Sequence, residues 1–133
     1  MANKIIILFI SVLALLGGLF SSCYYDNEMA LYGSTPCDTT TVVFSLDIVP
    51  IMESNCYICH SNANASNSGG SISLEGYSNI ILNVVIGNAD ASSLYGSIAW
   101  LPGFNQMPKG QSQISDCDLS KVRKWINDGA VNI

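Results

Sequence analysis

Positive charge is what this sequence has least of: five lysines and arginines stand against ten aspartates and glutamates, with one histidine, in 133 residues. The resulting net charge of −5 argues against a nucleic-acid partner, which needs a basic face. A single histidine, His60, excludes any site that needs two imidazoles from one chain. Long apolar runs are equally scarce. One exists, Ile5 to Leu16. The chain has one Cys-x-x-Cys pair and no second Cys/His pair at short spacing, so a structural zinc site lacks half its ligands. Nor does a βαβ pattern surround that pair, as a thioredoxin-like redox site requires.

What is present is sharper. Residues Cys56-Tyr57-Ile58-Cys59-His60 form a Cys-x-x-Cys-His run, the attachment signature of a covalent c-type haem. Two thiols three positions apart at a helix start lie on one face, and each can add across one vinyl group of the same porphyrin. His60 then falls under the iron as its proximal ligand. A shuffled chain of this composition would show the run about once in a thousand times. One haem c per chain is expected.

The N-terminus has a cationic start ending at Lys4, the apolar run, and small residues before Cys23. These are the parts of a secretory signal over residues 1–22. The end of it resembles the lipobox of bacterial lipoproteins, with Phe20 where Leu is usual, which implies acylation of Cys23. The alternative is an uncleaved anchor helix, for which the run is somewhat short. Cleavage leaves 111 residues, one small domain, with four basic residues against ten acidic. With Cys23 assigned to lipid and Cys56 and Cys59 to haem, Cys37 and Cys117 remain of the five. In an oxidising compartment they are expected to form a disulfide; the alternative is two free buried thiols.

Along the mature chain, 23–41 reads as a tether with Gly33 and Pro36 as breakers, and 42–133 as the haem domain. Phe44, Ile48, Ile51 and Met52 share one helical face leading into the haem motif, with Ser45 or Asp47 as its cap. Residues 62–73, rich in Ser, Asn and Gly, read as a solvated, mobile loop. The stretch 70–77 reads as extended, laying Ile72 and Leu74 on the core or haem. Ser78 to Ile86 reads as a short buried helix ended by Gly87. Asp90 is expected to cap a helix carrying Leu94 and Ile98, and Trp100 to Gln113 is a loop. The last helix is the clearest: Ser115 with Asp118 forms a capping-box pattern. Leu119, Val122, Trp125 and Ile126 make its apolar face, and Gly129 stops it. Its Lys121, Arg123 and Lys124 are either a solvated face or a docking patch.

The second iron ligand follows by elimination. Of four methionines, Met1 leaves with the signal, Met29 lies in the tether, and Met52 is on the attachment side of the haem. Met107 remains, in a loop 47 residues after His60 and followed by Pro108. Lys109, or an open iron position, is the alternative. His/Met ligation leaves no vacant iron site and raises the reduction potential relative to His/His, which suits an electron carrier.

The ordered set of these features resembles class I cytochrome c domains. More narrowly it is similar to small haem-binding domains of exported proteins in Bacteroidetes and planctomycetes. The shared motifs are Asp47-Ile48-Val49-Pro50-Ile51, Gly70-x-Ile72-x-Leu74, Gly87-Asn88 followed by Ser92-Ser93-Leu94-Tyr95, and Lys124-Trp125-Ile126-Asn127-Asp128-Gly129-Ala130. The resemblance covers residues 42–133. It implies an all-α, cytochrome c-like fold wrapped around one covalent haem. Thioethers would form at Cys56 and Cys59, His60 and Met107 would be axial ligands, and Trp125 would lie where the first and last helices cross. Loop 62–69 and the Cys37/Cys117 pair depart from the general class.

The expected function is electron transfer by a membrane-tethered monohaem protein, not an enzyme, on the periplasmic or cell-surface side. It would exchange electrons with a redox partner protein. The alternatives are a haem enzyme or gas sensor with an open distal site, and a haem-bearing accessory module of a larger redox assembly.

Overall fold

The computed structural model describes residues 37–133. The signal segment 1–22, Cys23 and residues 24–36 of the expected tether lie outside the described residues. Within them the regular structure is entirely helical, with no strand, so the described chain is all-α. No helix among the described residues is long and apolar enough to cross a membrane.

Residues 37–43 run in without helix, and Cys37 is joined to Cys117, with Cα atoms 5.4 Å apart. A π-helical turn, Phe44–Ile48, then leads directly into α1, Val49–Asn55. The widening has a local cause. Val49 N–H reaches back to the Phe44 carbonyl just before Pro50, which has no N–H with which to continue the ladder. Neither Ser45 nor Asp47 is the cap expected of them. Val43 holds that position, and Asp47 reaches back from the first turn to accept from the Val43 N–H at 2.9 Å. Phe44, Ile48, Ile51 and Met52 are all buried, as their spacing requires.

After α2, Tyr57–His60, the polar loop is more structured than its composition suggests. Its backbone makes successive turn bonds, Ala65 to Ser61 and Gly69 to Ala65, and Ala65 is buried. Asn62 closes the base. Its N–H donates to Glu75 at 2.7 Å, and its side-chain oxygen accepts from Ser73 at 2.7 Å. The asparagines and serines bond one another and the backbone, which is where a short polar segment finds partners without a core.

The expected helix 78–86 is instead α3, Tyr77–Ile80, followed by a 3₁₀ turn, Ile81–Asn83, and irregular chain. Ile80 is buried, but Leu82 is 81% and Ile86 60% exposed. Asn88, not Asp90, caps the next turn, Ala89–Ala91. Then α4, Ser93–Ile98, starts after Ser92, a fully buried serine whose hydroxyl donates to the Asn88 carbonyl and accepts from the Val85 N–H. Leu94 and Ile98 face the core.

The last helix, α5, Asp116–Asn127, has its expected cap: Ser115 Oγ accepts from the Asp118 N–H at 3.1 Å. Val122, Trp125 and Ile126 are buried. Trp125 packs on Phe44 with ring centroids 5.4 Å apart, and Phe44 meets Tyr77 edge-on at 5.3 Å. Lys121 adds a part-buried ion pair to Asp47 at 2.7 Å, so the start and end of the domain are held by apolar and ionic contacts together. The other two cations of α5 are also paired, Arg123 with Asp90 and Lys124 with Asp128. Of these three pairs only Lys121–Asp47 is part-buried; the other two lie at the surface.

Candidate functional site

Cys56 follows α1 directly. Its N–H donates to the Met52 carbonyl, and its own carbonyl accepts from Cys59 and His60. That single turn sets Cys56, the N-cap of α2, one helical turn from Cys59 and His60. Cys56 is buried, with its sulfur 3.9 Å from the Met52 sulfur; Cys59 is half-buried, and neither is in a disulfide. Burial pushes the Cys56 thiol up to about 11, the opposite of the depressed value that activates a redox cysteine.

His60 is oriented by the backbone. Its Nδ1 lies 2.9 Å from the Ile72 carbonyl oxygen. A carbonyl only accepts, so Nδ1 carries the proton, and in the neutral tautomer this leaves the Nε2 lone pair for another partner. This is the outer-shell bond that a metal-ligating histidine uses to set its tautomer and ring angle. The carbonyl is brought there by the loop: Leu74 N–H donates to the His60 carbonyl at 2.8 Å, and Ile72 N–H to Gly69 at 3.1 Å. Gly69 allows the approach. A Cβ there would lie 2.5 Å from the Cys59 carbonyl oxygen and 3.1 Å from His60 Nδ1.

A cavity of about 480 Å³ opens beside these residues, within the usual range for ligand sites of roughly 300–1,000 Å³. On one side it is lined by Cys56, Ile58, Cys59 and His60, and Ile72 and Leu74 add apolar wall. Leu94, Ser97 and Ile98 of α4 line it too, as do Met107 and Pro108. All four residues assigned to the cofactor thus meet one cavity, although Met107 is 47 positions from His60 in sequence. Met52 does not line it, and α5 contributes none of its lining.

The Met107 loop is anchored to the end of α4. Met107 N–H donates to the Ser97 carbonyl at 3.1 Å, and the Trp100 indole N–H donates to the Met107 carbonyl at 2.8 Å. Lys109 lines the same cavity and makes no ion pair among the described residues. No group of three or more His, Cys, Asp or Glu among them is placed to hold a bare metal ion. The donors around the cavity are two thiols, one imidazole, one thioether and the Lys109 amine, a set from which a covalent haem could draw two thioethers and its iron ligands.

Sequence reasoning missed the supporting residues. Gly69 carried a signal, the Gly69-Gly70 pair, which reads equally well as loop. The Ile72 carbonyl carried none, since any residue supplies one. Comparison with known proteins finds no family model, no curated protein and no solved structure that matches this chain.

Proposed function

We propose that this chain is an exported, monohaem electron carrier of the class I cytochrome c kind, tethered to a membrane through acylated Cys23. Cys56 and Cys59 would hold haem c by thioethers, His60 would ligate the iron through Nε2, and Met107 would fill the opposite position. The observation that carries the reading is the cavity lined by all four residues, with His60 Nδ1 already committed to the Ile72 carbonyl. Bound there, the haem supplies one reversible electron at the iron. The chain's own residues do the rest. Leu74, Leu94 and Ile98, with the half-exposed Ile72, would cover the ring, and the Ile72 carbonyl would keep the imidazole aligned. Two filled axial positions leave little to rearrange when the electron moves.

The Cys37–Cys117 bond supports export, because such bonds persist in oxidising compartments. Electrons would pass to and from a redox partner protein at the exposed haem edge. The decisive measurement is the absorption spectrum of protein made in a periplasm, oxidised and reduced, with and without CO. A Met–iron charge-transfer band and no response to CO are expected. A five-coordinate spectrum that shifts with CO would move the assignment to a gas sensor or haem enzyme. The absence of reversible one-electron reduction would favour an accessory module.

A further inference from the structure

We infer that Trp100 is the positioning residue for Met107, an inference that rests on the function proposed above. The chain leaves α4 through a Schellman turn: Leu101 N–H donates to the Gly96 carbonyl at 2.9 Å, and Trp100 N–H to the Ser97 carbonyl at 3.4 Å. Trp100 sits at the left-handed position of that turn, with φ at +57°. Glycine is the usual occupant, because a side chain there is strained and a bare backbone is not. The turn itself has no use for an indole. The ring's use lies seven residues on, where its N–H donates to the Met107 carbonyl.

Both polar backbone groups of Met107 are thereby fixed to the end of one helix, its N–H on Ser97 and its carbonyl on Trp100. Two further contacts tie the chain on either side of Met107 to α4. The Phe104 ring lies directly over Gly96, where a Cβ would come within 2.4 Å of it, and Gln113 donates to the Ile98 carbonyl at 3.1 Å. Pro102, Gly103, Asn105, Gln106 and Lys109 are exposed, so the loop has little core of its own to hold Met107 in place. A thioether is a weak axial ligand, and its occupancy depends on how far the protein prearranges it. Trp100 is the residue that does this, by its N–H rather than by its bulk.

The test uses the haem-loaded protein as Trp100→Phe, Trp100→Gly and, as a control, Trp125→Phe. Trp125 makes an equivalent bond, indole N–H to the Val131 carbonyl at 2.9 Å, but Val131, unlike Met107, does not line the cavity. Both Trp100 variants should lose the Met–iron charge-transfer band, bind CO when reduced, and show a lower reduction potential, with haem content and helical circular dichroism as in the parent. Trp100→Phe is the sharper variant, since it keeps an aromatic ring at this half-buried position and removes the N–H; Trp100→Gly suits the backbone but removes the ring as well. Trp125→Phe should keep the band. Retention of the band and exclusion of CO by the Trp100 variants would overturn the assignment, as would equal loss in the Trp125 control. Hydrogen exchange on the parent adds a readout independent of variant folding: the Trp100 indole N–H, which donates to the Met107 carbonyl, should be protected like the amides of α4, and exchange at an open-loop rate counts against the clamp. A parent that already binds CO and lacks the band removes Met107 as ligand, and the function proposed above falls with it.

Discussion

At the scale of single residues, the site depends on backbone atoms as much as on the four side chains that would touch haem. His60 is aligned by a carbonyl, and that carbonyl is in place because Gly69 lets two segments approach. Gly69→Ala puts a methyl into the Cys59 carbonyl at 2.5 Å, so backbone must shift. A stability loss of about 1–3 kcal/mol is expected, measured by denaturant unfolding, with a disturbed His–iron spectrum. Cys56→Ala and Cys59→Ala should each leave haem on one thioether, and the double variant should release all haem on a denaturing gel. The Cys-x-x-Cys-His run was legible because its chemistry is local to five residues. Met107 was legible only by elimination among methionines, and Trp100 was not legible, because its role appears only when the chain returns to α4.

At the scale of elements, α1 and α5 were legible because a 3.6-residue period survives in any context that buries one face. Segment 78–86 was not. Its apolar residues suggested burial, yet Leu82 and Ile86 are exposed, since composition without period does not say which residues find partners. The link between the two ends of the domain is ionic as well as apolar. The Lys121 ammonium, bonded to Asp47, holds that carboxyl below the usual carboxylate range, and the Val43 N–H adds to the effect. A depressed pKa in the fold means that stabilisation is present above the unfolded value near 4 and is lost as pH falls through the lower, folded value. Asp47→Asn should therefore cost about 1 kcal/mol at neutral pH and progressively less below about pH 4, as thermal unfolding across pH would show. Ile126→Ala, at a fully buried position, should cost about 2–5 kcal/mol at any pH.

At the scale of the whole molecule, the Cys37–Cys117 bond closes an 80-residue separation around the entire haem motif and its cavity. In the chain-entropy account it is worth about 4–5 kcal/mol, by limiting the unfolded chain. Replacing Cys37 and Cys117 together by Ala should lower the unfolding free energy by about that much and leave the visible spectra of the folded, haem-loaded protein, oxidised and reduced, unchanged. A spectral change in that variant would show that the bridge also shapes the site. The cavity itself is assembled from five separated stretches, α1–α2, the loop after His60, the 3₁₀ turn at Asn83, α4 and the Met107 loop, so it belongs to no one of them.

The sequence by itself determined which chemistry is available: one histidine, two thiols at haem spacing, one well-placed methionine, two spare cysteines and an acidic surface. These follow from residue identity and short spacing, which survive without a fold. Only the tertiary structure decided that His60 and Met107 share a cavity and that the Ile72 carbonyl sets the histidine tautomer. It alone also placed the Trp100 indole on the Met107 carbonyl, and paired Lys121 with Asp47. The physical reason is the same in each case. Long-range contacts, and contacts made through backbone atoms, leave no mark on the identity of the residues that make them.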